Sequence, residues 1–140
     1  VDIEWLILAD SAQVIGGKLY VLGGGWETLI VPTGFPTSQL VGLAASFRVP
    51  WNETNQPHPV EIEIDHEDGA TLMQVASTVE VGRPPGIPPG SDQRTQIAFN
   101  AMVQIAAPGT YVIIGRVGGE EKQRTWFRAL APVGVLPRPS

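Results

Sequence analysis

Along this chain apolar and polar residues alternate with a period of two, and glycine and proline break the alternation again and again. Successive side chains of a β-strand point to opposite faces, so each alternating run predicts a strand and each Gly/Pro cluster a turn. Residues 39–49 place Val41, Leu43, Ala45, Phe47 and Val49 on one face and Gly42, Ala44, Ser46 and Arg48 on the other, which is expected to be half-solvated. In VEIEIDHEDGATLMQVASTVEV, Ile62 and Ile64 face inward, Glu61 and Glu63 face outward, and Asp68-Gly69 turns the chain into a hairpin. Residues 3–14 and 18–31 read as two strands joined at Gly16-Gly17. TQIAFNAMVQIA alternates Ile97, Phe99, Ala101, Val103 and Ile105 against Gln96, Asn100 and Gln104. PGTYVIIGRVGGEE and QRTWFRAL form a last hairpin at Gly118-Gly119. Prolines 84, 85, 88 and 89 take GRPPGIPPGSD out of any ladder, because proline has no N–H to donate. About eight strands at even spacing predict an all-β, single-domain antiparallel two-sheet β-sandwich with Greek-key, immunoglobulin-like connections. The expected domain spans residues 1–131, followed by a Pro-rich tail over 132–140.

A length of 140 residues suits one domain, and 43% hydrophobic against 16% charged residues predicts a folded chain with a rather neutral surface. The net charge of -5 and the dispersal of the nine Lys and Arg residues exclude a basic stripe, so neither nucleic acid nor an anionic membrane is an expected partner. No apolar run approaches the ~18 residues a spanning helix needs. The absence of cysteine removes disulfides, thiolate metal sites and cysteine nucleophiles. The start VDIEWLILAD carries an acidic flank where a signal peptide carries a basic one, and a cytoplasmic protein is expected.

The segments LILADSAQVIGGKLYVLGGGWETL, VEIEIDHEDG, VEVGRPPGIPPGSD, IAFN and PGTY resemble, in order and spacing, a family of small bacterial proteins of unknown function. The resemblance spans about residues 6–130 and implies a compact β-sandwich. It implies no activity, cofactor or site residue.

Several segments hold residues capable of chemistry. GGKLYVLGGGWETL looks like a phosphate-binding loop, but such a loop needs G-x-x-x-x-G-K-[ST] between a strand and a helix, and Gly17-Lys18 is followed by Leu19 and another strand. Gly23-Gly24-Gly25-Trp26 likewise lacks the third glycine of G-x-G-x-x-G, so the glycines read as turn, bulge or close-approach positions. His58 and His66 look exposed. His66 stands beside Asp65, Glu67 and Asp68, which together fall short of a calcium loop and read as a solvated hairpin tip. Ser11 after Asp10 and Ser91 before Asp92 lack the strained turn of a hydrolase nucleophile. Asn52-Glu53-Thr54 is a glycosylation sequon only for a secreted chain, and RPPGIPPG is read as a stiff crossover between sheets.

Two candidate interaction surfaces remain. Trp51, beside the polar Asn52 and Asn55, is placed to anchor its loop or to stack on a ligand. The tail places Val133, Val135 and Leu136 next to few charges, and such a segment gains by lying on apolar surface, here expected to be a neighbouring subunit. The expected function is that of a non-catalytic, cofactor-free module that binds protein or associates with itself as a homo-oligomer. A carbohydrate- or small-ligand-binding sandwich using loop aromatics is the alternative, and a hydrolase the third. An exposed unpaired strand edge favours assembly, whereas a solvent-facing Trp51 favours a ligand.

Overall fold

A computed structural model describes residues 1–132, which build nine strands and one short 3-10 turn. In chain order these are β1 (Asp2–Ile15), β2 (Lys18–Gly24), β3 (Thr28–Ile30), β4 (Thr37–Val49), the turn Trp51–Glu53, β5 (His58–His66), β6 (Thr71–Val79), β7 (Gln93–Ile105), β8 (Gly109–Val117) and β9 (Glu120–Leu130). A four-stranded sheet ordered β2-β1-β4-β7 faces a five-stranded sheet ordered β3-β9-β8-β5-β6. The sandwich is therefore as expected, and the Pro-rich segment 80–92 carries the chain from β6 at the edge of one sheet to β7 at the edge of the other.

The core forms where inward-facing residues of both sheets meet. Leu43, Phe47 and Val49 of β4, Ile62 and Ile64 of β5, Ile113 of β8 and Phe127 of β9 are fully enclosed. Each such side chain contributes roughly 1.5–3 kcal/mol through removal of apolar surface from water. Phe127 stacks on Tyr111 at 5.1 Å and receives the edge of Trp26 at 5.5 Å, an aromatic column that closes the core beside β3.

Two expectations are corrected. Residues 18–31 are not one strand: the chain leaves the four-stranded sheet after Gly24, and Thr28–Ile30 pairs in parallel with β9 in the other sheet. The glycines are the cause. Gly23 and Gly25 have φ of 62° and 81°, a conformation L-residues rarely take, and the kink turns Trp26 inward onto Phe127. The sheets are accordingly not wholly antiparallel.

The second correction concerns the outer face of β4. Gly42, Ala44 and Ser46 are buried and not half-solvated. β1 pairs with β4 only from Asp2 to Ala9, whose partner is Gly42; beyond that point it pairs with β2 alone. Ala12 is bonded to Asn100, the cross-strand partner of Gly42, and Gly17 accepts from Gln96, the partner of Ser46. The hairpin arm from Ala12 to Gly17 therefore doubles back over the sheet that β1 itself belongs to. Gly42 makes room for it: a Cβ there would stand 2.9 Å from the Ala12 nitrogen and 2.9 Å from the Ser11 carbonyl carbon.

Candidate functional site: the open edge of β2

The β1–β2 hairpin turns through Gly16 and Gly17, with φ of 58° and 75°, the two positive values that a two-residue turn needs to match the twist of its strands. GGK is thus turn chemistry. The register pairs Ile15 with Lys18, Val14 with Leu19, Gln13 with Tyr20, Ala12 with Val21 and Ser11 with Leu22.

Asn100 fixes the orientation of this arm. Its side-chain oxygen accepts from the Ala12 N–H at 2.9 Å, and its side-chain NH2 donates to the Ala12 carbonyl at 2.9 Å. Both backbone groups of Ala12 consequently point away from β2. In an antiparallel ladder the residue opposite such a position also points its groups away, so Val21 aims its N–H and C=O at the far side of β2, and Leu19, two residues along, does the same. β2 is the last strand of its sheet, and among the described residues no other group bonds to these atoms. An unpaired donor–acceptor row with this spacing accepts one thing well, another extended chain.

Side chains on the arm's outer face reinforce the edge. Leu22 is 71% exposed, Ile15 58% and Tyr20 54%. Lys18 is the sole charge within the strand, and the strand contains no proline, so the usual protections of an exposed edge are nearly absent. The β6 edge differs, because its exposed side chains are small or polar: Thr71, Gln74, Ala76, Ser77 and Thr78. A signal for β2 existed in the sequence. KLYVL is apolar on both faces, which suits a strand covered on one side that shows apolar surface on the other.

The residues singled out from the sequence lie elsewhere. Trp51 is half-buried, with the Arg83 guanidinium 4.0 Å above its ring. Arg83 also donates to the Trp51 carbonyl at 2.8 Å and to the Thr54 hydroxyl at 2.8 Å, so Trp51 ties the proline segment to the 3-10 turn. Asn52 is exposed, and Asn55 takes a left-handed φ of 58° while its N–H donates to the Val81 carbonyl. The three residues belong to one loop junction, far in sequence from β2. Val133, Val135 and Leu136 lie outside the described residues.

Charged groups are largely consumed in local pairs. Glu4 receives Arg94 at 2.8 and 3.0 Å, and that hydrogen bond holds its carboxyl below the usual range. Arg116 bridges Glu63 and Glu61. Both histidines are partly covered, contrary to expectation, with His58 Nε2 2.7 Å from the Glu53 carbonyl. Desolvation pulls His66 down, but the Pro108 carbonyl and the Asp68 carboxylate outweigh it and leave the imidazole more basic than usual. When neutral, His66 can instead accept the Asp68 N–H at Nδ1, so the hairpin tip is bonded in either protonation state. Among the described residues no group of three or more His, Asp or Glu side chains converges to hold a metal, and no helix is long and apolar enough to cross a membrane.

Residues 4–130 match the model of a family described as "Family of unknown function (DUF6941)". No curated protein matches the chain. Among solved structures, similarity is found to a glycosyl hydrolase family 2 member from Bacteroides cellulosilyticus, with a TM-score of 0.40 and 10% identity over 69% of this chain and 13% of that one. A second is an alkylpurine DNA glycosylase from Pseudomonas fluorescens bound to DNA with an abasic-site analogue, with a TM-score of 0.43 and 14% identity over 89% of this chain and 30% of that one. This chain spans less than a third of either protein, and the likeness bears on neither activity nor ligand.

Proposed function

The chain belongs to the DUF6941 family, and from the geometry of its β2 edge we propose that it is a non-catalytic β-sandwich module that associates with a second copy of itself by strand pairing. The observation that carries this reading is the clamp of Asn100 on Ala12, which leaves the Leu19 and Val21 backbone groups facing outward beside exposed Tyr20 and Leu22. An antiparallel pair of β2 strands related by a two-fold axis must oppose residues on the same face. Placing Tyr20 opposite its counterpart sets Leu19 against Val21 twice, provides four backbone hydrogen bonds, and keeps the kinked Gly23 out of the ladder. Leu22 then lies diagonal to the second Tyr20, within reach of its ring.

A single substitution isolates the edge. The Val21 N–H is not used by β1, so Val21→Pro removes an outward donor without removing a β1–β2 bond. Light scattering on the full chain at about 10⁻⁴ M is expected to give a dimer mass, and Val21→Pro a monomer with an unchanged far-UV spectrum. A monomeric wild type, or a dimer untouched by Val21→Pro, defeats the reading.

A further inference from the structure

On the outer face of the other sheet, remote from β2, the strand β9 sets Arg124, Trp126 and Arg128 in one row, two residues apart. Their cross-strand partners on β8 include Val112, opposite Trp126, and Thr110, opposite Arg128. These five residues line a shallow hollow of about 280 Å³. Trp126 is the tryptophan that counts among the exposed large hydrophobics, and the Arg128 guanidinium lies 4.8 Å from its ring centre.

Arg128 differs from every other arginine among the described residues. Arg48 and Arg94 pair with Glu4, Arg116 with Glu61 and Glu63, Arg124 with Glu121, and Arg83 donates to Thr54 and the Trp51 carbonyl. Among the described residues Arg128 has no carboxylate within ion-pair distance, although these include all 14 Asp and Glu residues of the chain and the Glu27 carbonyl accepts from the Arg128 backbone N–H. A planar guanidinium with its donors unused, standing over an exposed indole and beside a hydroxyl, has the parts of a recognition site.

We infer that this hollow binds a small monocarboxylate carried on a six-membered ring with an apolar face, the carboxylate on Arg128 and the ring face against Trp126 and Val112. Size and charge select this class. A volume of about 280 Å³ falls just below the usual range for ligand pockets and admits one ring with its substituent. Of the two guanidiniums lining the hollow, Arg128 is the one without an ion-pair partner among the described residues, since Arg124 holds Glu121 at 2.6 Å, and Asp65 adds negative charge nearby. A planar monoanion matches one guanidinium fork, whereas a phosphate dianion calls for more cationic charge than the hollow offers. An aromatic acid and a hexuronic acid both meet this description.

The full chain, labelled with 15N, is titrated at fixed ionic strength with benzoate, glucuronate, their neutral counterparts benzamide and glucose, and inorganic phosphate. The Trp126 indole N–H reports binding. Saturable shifts are expected with at least one carboxylate, at least about tenfold tighter than with its neutral counterpart or with phosphate. A response to benzoate alone assigns the ring as aromatic and to glucuronate alone as a sugar, and either supports the site. Arg128→Gln is expected to weaken binding by about tenfold or more and Arg128→Lys by less, with the Trp5 and Trp26 indole signals unmoved. No saturation below about 50 mM with any probe, equal affinity for the neutral counterparts, tighter phosphate binding, or unchanged affinity in Arg128→Gln overturns the inference.

Discussion

Ser46 and Gly42 lie four residues apart on the same buried face of β4, and the hairpin arm constrains them in opposite ways. A Cβ at Gly42 would stand 2.9 Å from the Asn100 Oδ1 and equally close to the backbone of Ser11 and Ala12, which cannot yield as a flexible side chain would. Ser46, by contrast, is fully buried, and its Oγ has no hydrogen-bond partner among the described residues. A buried hydroxyl without a partner has lost its water and gained nothing in return. Ser46→Ala is therefore expected to leave stability unchanged or raise it by up to about 1 kcal/mol. Denaturant unfolding measures this, and a loss of more than about 1 kcal/mol indicates a bond that Ser46 makes in solution.

The arm formed by β2 and the distal half of β1 is held to the sandwich differently from the other strands. Its own two strands pair along their length, but its junction to the sheet below rests on the Asn100 clamp and the weaker Gln96 contact to Gly17. Asn100→Ala leaves the Ala12 N–H and C=O without their partner, at a cost of about 1–3 kcal/mol. The loss falls on the arm. Amide exchange of residues 12–22 is expected to accelerate by at least about tenfold in Asn100→Ala, while β5 and β8 keep their protection. Uniform acceleration everywhere means that the arm does not open independently of the core. The same element marks the limit of what the sequence expressed. Ile62 and Ile64, the Asp68-Gly69 turn and the alternation of β7 are local patterns, and the structure places them as the pattern predicts. The burial of Gly42, Ala44 and Ser46 depends on a contact between residues 88 positions apart, and no local pattern contains it. The switch of Thr28–Ile30 into the other sheet was equally hidden: its glycines announce a break, without saying which strand comes next. Trp51 stood out because it adjoins a polar loop, yet Arg83, 32 residues away, covers it. Trp126 and Arg128 were within reach of sequence reasoning, since residues two apart on a strand share a face.

For the whole molecule, the proposed dimer opposes its own net charge. Each copy carries -5, so pairing two of them places like charges on one body, while the contact itself consists of backbone bonds and the side chains of Tyr20, Leu22 and Lys18. Backbone pairing and apolar contact are little altered by moderate salt, but repulsion between the remaining surfaces is screened over a distance that shortens from about 30 Å at 0.01 M to about 8 Å at 0.15 M. Association through β2 is therefore expected to strengthen as salt rises over that range, by a few-fold in the dimerisation constant. Sedimentation equilibrium at the two ionic strengths provides the measurement. Dimerisation that weakens with salt instead points to attraction between opposite charges, which the nearly uncharged β2 edge does not provide, and the contact must then be sought on another face.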